Sequence, residues 1–245
     1  MTEAQSNLLK LDSGERREDV AGETSVPKMP QSTLLTIAIA KGRMQAAALE
    51  LLARAGVCAI GNGQLSRKLT TEDETGRYRF IFVKPADVPV YVEHGIADCG
   101  IVGQDVLLEG EGDMLLPLDL RISRCQVVVA AKQPDVFSDD QGVLRVATKY
   151  PEIARKYFGA KGTPVEIIRL SGSVELAPVL GLANCIVDLM ETGRTLAENG
   201  LHVVATVADS TARLVVNRAS YQLKAETISS LISTLDRIVN GSEKD

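Results

Sequence analysis

Apolar, strand-like stretches alternate with helical patterns from Leu34 onward, and this alternation restricts the fold more than any other feature of the sequence. Leu35 to Ala40 is typical of a buried strand, and the turn after it leads into a helical pattern from Met44 to Ala55 that Gly56 ends. Further strands are predicted at residues 79–84, 98–102, 125–131, 143–148, 165–170, 186–190, 203–207 and 212–217, and further helices at 85–95, 151–158, 173–180 and 223–239. The pattern predicts an α/β fold with ligands at the carboxyl ends of strands.

The order of these segments predicts two lobes with a cleft between them. Residues 1–32 are rich in charge, proline and serine, which predicts a flexible N-terminal tail; the alternative is a short helix, Asn7 to Leu11, that docks on a partner. We assign residues 33–120 together with 200–245 to lobe I, and residues 121–199 to lobe II.

Composition excludes several classes of function. The chain has 245 residues, of which 45% are hydrophobic, so it can bury a substantial core. Its net charge of -5 provides no electrostatic footprint for nucleic acid. The cysteines lie far apart without a CxxC pair, which predicts reduced core thiols, and two histidines are too few for a histidine-rich metal site. No stretch reaches the about 20 consecutive apolar residues of a membrane helix, and no secretion signal is recognisable, so we expect a cytoplasmic protein without a membrane partner.

Residues 184–196 run from an apolar strand through one carboxylate into a small loop rich in hydroxyl groups. Asp188 is the only polar residue between Ile186 and Met190, and residues 191–195 supply backbone N–H groups, two hydroxyls, a glycine and a cation. A helix starting near Leu196 would add the partial positive charge of its N-terminus. The pattern favours a phosphate-binding loop that ends a lobe II strand; an ordinary strand, turn and helix is the alternative.

This loop resembles that of the common phosphoribosyltransferases only in part. Those enzymes place two adjacent acids at the strand end, before a hydroxyl-glycine loop that holds the 5-phosphate of phosphoribosyl pyrophosphate (PRPP). Here Val187 stands in the place of the first acid, and Glu191 stands where a hydroxyl residue is expected. The difference disfavours a base-salvage enzyme and points to another family that transfers phosphoribosyl groups.

Four stretches, in order and spread over nearly all of the chain after residue 34, carry a more specific resemblance: residues 39–43, 88–105, 175–178 and 186–196. Together they resemble the short form of ATP phosphoribosyltransferase, the first enzyme of histidine biosynthesis. The resemblance implies a two-lobed fold like that of the type II periplasmic binding proteins. It also implies transfer of phosphoribose from PRPP to N1 of the adenine of ATP, with Mg²⁺ and with pyrophosphate as leaving group.

The resemblance assigns Arg43 and Arg67 to catalysis, in contact with the phosphates or the leaving group. Arginine suits this role because its planar guanidinium pairs with phosphate in bidentate fashion. Lys41 and Gly42 are assigned to the phosphates of ATP, with a plain helix-entry turn as the alternative. A surface cation is the alternative for each arginine.

Asp188 is assigned to the ribose hydroxyls or to magnesium, with a buried backbone cap as the alternative. The other residues assigned to PRPP are Glu191, Thr192, Gly193, Arg194, Thr195 and Glu175. Glu175 has helix capping as its alternative. The residues assigned to ATP in the other lobe are Asp98, Gly100 and Gly103, beside Asp105, for which helix capping is nearly as good an explanation. No side-chain nucleophile is required, because N1 of adenine attacks.

The resemblance also implies partners. The long forms of this enzyme carry a C-terminal regulatory domain, and the sequence shows one helix after its last predicted strand. We therefore expect a homodimer, with Arg67 acting across its interface, that assembles with a regulatory subunit resembling histidyl-tRNA synthetase. The competing interpretation is a two-lobed module that binds a small anion without chemistry, either as a solute-binding protein or as a ligand-sensing domain.

Overall fold

The computed structural model describes residues 34–57, 69–137 and 142–241. Its strands are β1 (Leu35–Ala40), β2 (Thr70–Glu72), β3 (Tyr78–Val83), β4 (Cys99–Gly103), β5 (Met114–Asp119), β6 (Cys125–Ala131), β7 (Leu144–Thr148), β8 (Val165–Arg169), β9 (Cys185–Met190), β10 (His202–Ser210) and β11 (Ala212–Asn217). Its helices are α1 (Gln45–Arg54), α2 (Val88–Glu93), α3 (Gln104–Glu109), α4 (Pro151–Ala160), α5 (Leu176–Val179), α6 (Arg194–Glu198), α7 (Arg218–Leu223) and α8 (Ala225–Gly241). A 3₁₀ turn, Pro85–Asp87, precedes α2.

The strands form two mixed sheets, which confirms the α/β class. The first sheet has the order β2-β3-β1-β4-β11-β5, and the second has the order β10-β6-β9-β7-β8. Strand β1 runs parallel to β3 and β4, and β7 runs parallel to β8 and β9. Each sheet therefore contains a group of three parallel strands, inside the first sheet and at one side of the second, and the carboxyl ends of each group point in one direction, where connecting loops gather.

The chain passes between the sheets twice, at neighbouring positions. Strand β5 of the first sheet is followed by β6 of the second, and β10 of the second sheet is followed at once by β11 of the first. Strand β10 lies in the stretch that we assigned to lobe I, but it pairs antiparallel with β6 in the second sheet. The sequence pattern specified a strand there without specifying its neighbour, because alternation of apolar and polar residues carries no information on the pairing partner.

Most of the predicted elements are present, and β1, β6 and β11 have the predicted bounds. Strands β2 and β5 were missed because both lie at sheet edges and carry weak signals: β2 has three polar residues, and β5 contains Pro117. The helix predicted at 173–180 is shorter than expected. Ser173 has a left-handed backbone with φ 48°, so regular helix begins only at Leu176.

Apolar packing differs between the two sheets. A single cluster of buried residues packs around the first sheet and includes Ile37, Phe80 and Leu235 of the closing helix. The second sheet has a cluster on each face, one around Phe158 and the other around Ile186. Strands β6 and β9 are covered on both faces, which explains why all their residues except Gln126 and Asp188 are apolar.

Some predictions lie outside the described residues, among them the tail at 1–32 and the turn that contains Arg67. The described residues belong to one compact unit of the chain, Ser32–Asp245. Within that described part, no helix combines the length and apolar composition needed to cross a membrane.

Candidate active site

A cavity of about 600 Å³ lies where the carboxyl ends of parallel strands from both sheets meet. The turn after β1, the residues after β3 and the end of β4 contribute from the first sheet, and the residues that end or follow β7, β8 and β9 contribute from the second. The cations that line it are Lys41, Arg43, Lys84, Lys149 and Arg169. The cavity is thus a locally positive site in a chain whose net charge is -5.

Both acidic residues that line this cavity are held by donors of the protein itself. Asp105 accepts a hydrogen bond from the Ser210 hydroxyl at 2.8 Å and one from the Tyr150 hydroxyl at 3.3 Å. Glu109 accepts hydrogen bonds from the backbone N–H groups of Glu152 and Ile153 at the start of α4. These carboxylates stabilise the protein framework, which leaves the cations as the groups that face a ligand.

The predicted phosphate loop lines a second cavity, of about 330 Å³. Gly193 precedes α6 with a left-handed backbone, φ 74°, and this conformation turns the chain sharply after β9. The lining residues predicted for PRPP are Glu191, Thr192, Gly193, Arg194, Thr195 and Glu175. The structure therefore brings the loop and Glu175, which is distant in sequence, to one cavity.

Two of these side chains differ in detail from the expectation. The Arg194 guanidinium donates to the Glu198 carboxylate at 2.8 Å along the exposed face of α6. The guanidinium is therefore already paired within the helix. Glu175 stands at the N-terminus of α5 but makes no capping hydrogen bond, contrary to the capping alternative. Its carboxylate is consequently available to the second cavity.

Arg43 joins the two sheets. Its Nη2 donates to Cys125 Sγ at 3.1 Å, at the start of β6, and its Nη1 lies 3.3 Å from Glu191 Oε2 in the predicted phosphate loop. Burial would lower the pKa of the guanidinium, but hydrogen bonds and charge interactions with Cys125 and Glu191 leave that pKa raised above its ordinary value. Arg43 therefore remains charged at the border of both cavities.

Asp188 lies behind this border, on β9. Its side chain is only 10% exposed, and its Oδ1 accepts from the Leu189 backbone N–H at 2.8 Å and lies 3.0 Å from Lys149 Nζ. Lys149 lines both cavities, whereas Asp188 is not among the residues that line either one, so the carboxylate lies directly behind that ammonium. Lys41 is placed beside β3 by a hydrogen bond from its backbone N–H to Val83, at 2.8 Å. Gly42 has φ 95°, which the tight turn after β1 requires.

The structure separates two of the residues predicted for ATP from this site. Asp98 precedes β4, at the end opposite to the cavity, where its Oδ2 accepts from Lys224 Nζ at 2.7 Å and from the Thr36 N–H at 2.8 Å. Gly100 lies inside β4, and a Cβ there would come within 2.7 Å of Val88, so this glycine permits close packing of α2. Gly103, at the carboxyl end of β4, does line the large cavity. Asp98 stands at the start of its strand, as in the predicted strand 98–102, whereas the cavity lies at the carboxyl end.

Sequence reasoning missed the cations Lys84, Lys149 and Arg169, together with Cys125 as a partner of Arg43. Lys84 and Lys149 directly follow β3 and β7, and Arg169 is the last residue of β8. The sequence therefore contained a usable signal, because those strands were predicted and the cations at their carboxyl ends could have been assigned to one site. No such signal marked Cys125, whose contact spans 82 positions in sequence.

The "HisG: ATP phosphoribosyltransferase" family model matches residues 84–237. The chain belongs to the ATP phosphoribosyltransferase family. Among curated members, it is 48% identical over 208 residues to "ATP phosphoribosyltransferase" of Caldanaerobacter subterraneus subsp. tengcongensis, with 85% of this chain and 99% of that protein covered. It is 50% identical over 206 residues to "ATP phosphoribosyltransferase" of a Geobacillus species, with 84% and 99% covered.

A solved structure of the same family has a similar fold. The "ATP phosphoribosyl transferase (HisG:HisZ) complex from Thermotoga maritima" contains a chain that is 36% identical, with a TM-score of 0.73. The alignment covers 86% of this chain and 100% of that one. The family predicted from four sequence stretches is thereby confirmed.

Proposed function

We propose that the two neighbouring cavities form the active site of an ATP phosphoribosyltransferase. As a member of that family, the protein transfers the phosphoribosyl group of PRPP to N1 of the adenine of ATP, the first step of histidine biosynthesis. The observation that supports this placement most strongly is the shared border of the cavities. Arg43 lines both the cavity at the proposed phosphate loop and the large cationic cavity.

In this proposal the second cavity takes the 5-phosphate of PRPP. The backbone of Thr192, Gly193 and Thr195 surrounds the phosphate, and the two threonine hydroxyls add donors. Glu175 lines this cavity and Asp188 lies behind Lys149 at its border, and carboxylates are good acceptors for the ribose hydroxyls that would follow the phosphate. The 5-phosphate thereby fixes one end of the sugar and directs its anomeric carbon toward Arg43.

ATP would occupy the large cavity. Its volume of about 600 Å³ lies within the range of small-molecule sites in proteins, roughly 300–1,000 Å³. Lys41 and Lys84 supply positive charge from the first sheet for the triphosphate, and Gly103 lines the same cavity at the end of β4. Arg169 supplies charge from the opposite side.

The reaction at the border of the cavities is a displacement at the anomeric carbon. The bond from adenine N1 to C1 of the ribose forms while the bond from C1 to the pyrophosphate oxygen breaks, and the electron pair of that bond leaves with pyrophosphate. The adenine amino group then loses a proton to solvent. Negative charge grows on pyrophosphate, so a charged guanidinium at Arg43 stabilises the transition state more than the ground state.

We propose that Mg²⁺ enters with the pyrophosphate of PRPP. Within the described residues, no group of three or more His, Cys, Asp or Glu side chains is arranged to hold a metal ion. Isolated carboxylates fit an ion that is carried by the substrate phosphates, and Asp188 or Glu191 would be its contact on the protein. When bound, Mg²⁺ would neutralise charge on the leaving group.

We further infer that the protein forms a homodimer and assembles with a regulatory subunit that resembles histidyl-tRNA synthetase. The Thermotoga maritima relative, whose structure is a HisG:HisZ complex, supports the assembly with a second subunit. Light scattering on the purified protein, with and without such a subunit, tests it. A mass that corresponds to a monomer under both conditions would contradict the inference.

The activity is tested by the ultraviolet absorbance of phosphoribosyl-ATP, formed from ATP, PRPP and Mg²⁺ by the purified protein. We expect turnover by the wild-type protein and its loss in Arg43→Ala and Asp188→Ala. Arg155→Ala is the matched control, because Arg155 pairs with Glu152 on the exposed face of α4, outside both cavities. Absence of wild-type turnover, even with a regulatory subunit, would contradict the proposed activity and favour a ligand-binding module.

A further inference from the structure

Two side chains with a positive charge lie at the border shared by the two cavities. The residues that line both are Arg43, Lys149 and Leu189. Arg43 comes from the first sheet, whereas Lys149 directly follows β7 in the second. The resemblance to the family assigned a role to Arg43 and none to Lys149, which makes the lysine the unexplained member of the pair.

The surroundings of Lys149 hold its ammonium in place without burying it. Its Nζ lies 3.0 Å from Asp188 Oδ1 and 5.3 Å from the centre of the Tyr150 ring. Its side chain is 39% exposed, compared with 10% for Asp188. An ammonium has three N–H donors, so the contact with Asp188 leaves donor capacity for a ligand.

Asp188 does not depend on Lys149 for its position. The same Oδ1 accepts a hydrogen bond from the Leu189 backbone N–H at 2.8 Å, and the carboxylate stands on a strand that is paired on both sides. Lys149 can therefore turn toward a bound anion while the carboxylate stays in place. An arrangement built only to neutralise Asp188 would not require an ammonium that is open to both cavities.

We propose that Lys149 binds the pyrophosphate group of PRPP and stabilises it as it leaves. The proposal rests on the proposed function, because it takes the 5-phosphate to lie in the loop cavity and ATP in the large one. The bond that breaks then lies at their border, where pyrophosphate carries the growing negative charge. Lys149 and Arg43 flank that position from the two sheets.

Calorimetry separates this role from that of a counter-ion for Asp188. Binding of inorganic pyrophosphate with Mg²⁺ is measured in the presence of saturating ribose 5-phosphate, and binding of ribose 5-phosphate is measured alone. We expect Lys149→Gln to weaken pyrophosphate binding about tenfold, the size of one lost charge-assisted hydrogen bond, and to leave ribose 5-phosphate binding within about twofold. Lys149→Arg, which keeps the charge, should be intermediate.

Lys161→Gln is the matched control, since Lys161 also lies over a tyrosine ring, that of Tyr157, at 4.6 Å. It lies outside both cavities and should leave both affinities unchanged. Unchanged pyrophosphate binding in Lys149→Gln, or equal weakening of both ligands, would overturn the proposal. The wild-type turnover assay reports separately on the proposed function, so a failure of that function is distinguishable from a failure of the role of Lys149.

Discussion

Arg43 Nη1 lies 3.3 Å from Glu191 Oε2, and this ion pair links the turn after β1 in the first sheet to the proposed phosphate loop after β9 in the second. Both side chains are partly exposed, at 36% and 53%. The carboxylate thus pairs with the guanidinium on the side from which a phosphate group would approach. An anionic substrate has to compete with Glu191 for Arg43.

Glu191→Gln should therefore tighten the binding of magnesium-free pyrophosphate by up to about fivefold, because an exposed ion pair is worth at most about 1 kcal/mol. Isothermal titration calorimetry measures the change. Glu198→Gln removes a similar exposed partner from Arg194 and should have no effect. Weaker binding in Glu191→Gln would mean that the carboxylate contributes favourably to ligand binding.

The Cys125 thiol supports the other side of the same guanidinium, at 3.1 Å from Nη2. Cys125→Ala should lower kcat about fivefold, because loss of one hydrogen bond of roughly 1 kcal/mol lets Arg43 move from its position. Cys125→Ser keeps an acceptor and should stay within about twofold of wild type. Full activity in Cys125→Ala, with Arg43→Ala inactive, would show that the thiol does not position Arg43.

The Asp98 carboxylate is expected to act in stability alone. Asp98→Asn removes the charge that pairs with Lys224, whose side chain is 23% exposed, so unfolding should become easier by about 2 kcal/mol. Urea denaturation measures this loss, and the KM for ATP should not change. Glu72→Gln, which breaks the exposed pair with Arg79, should cost less than about 1 kcal/mol. A raised KM for ATP in stable Asp98→Asn would restore the role predicted from the sequence.

The Gly193 backbone has φ 74°, and a Cβ there would lie 3.3 Å from Met190 Sδ. Gly193→Ala should destabilise the protein by about 1–2 kcal/mol through left-handed strain and raise the KM for PRPP. Gly76→Ala is the matched control: Gly76 has φ 67° but open space around it, far from the loop in sequence. It should show similar strain and an unchanged KM. Equal KM effects in the two variants would contradict a role of the loop in PRPP binding.

The Cys185 thiol links stability to alkaline pH. Burial raises its pKa to about 12, so the folded state favours the neutral thiol. This contribution is complete below the pKa of the unfolded thiol, about 8.5, and is lost as the pH rises through the folded pKa. Wild-type protein should lose up to about 1.4 kcal/mol per pH unit more than Cys185→Ala over that window. Urea denaturation at pH 8 and pH 10.5 checks this, and parallel losses in both proteins would contradict it.

Local pattern in the sequence accounts for much of the fold. The apolar runs at Leu35–Ala40 and Cys125–Ala131 are typical of buried strands, and both strands have the predicted bounds. The loop after β9 was recognisable because a strand, one carboxylate and a glycine-containing turn are adjacent in the chain. Strand β10 was assigned to the wrong sheet, because strand pairing depends on partners that are distant in sequence.

The same limit applies to the site. By itself, the sequence determined the family and the α/β class, which rest on motifs and on an alternation of strands and helices that recur along the chain, and it predicted the loop after β9 and the candidate Arg43 from residues that are neighbours in the chain. Only the tertiary structure decided that Asp98 lies at the far end of its strand and that Lys149 stands beside Asp188, 39 positions away. Side chains from different strands become neighbours only when the sheets form, since local propensity and periodicity carry no record of which strand ends meet.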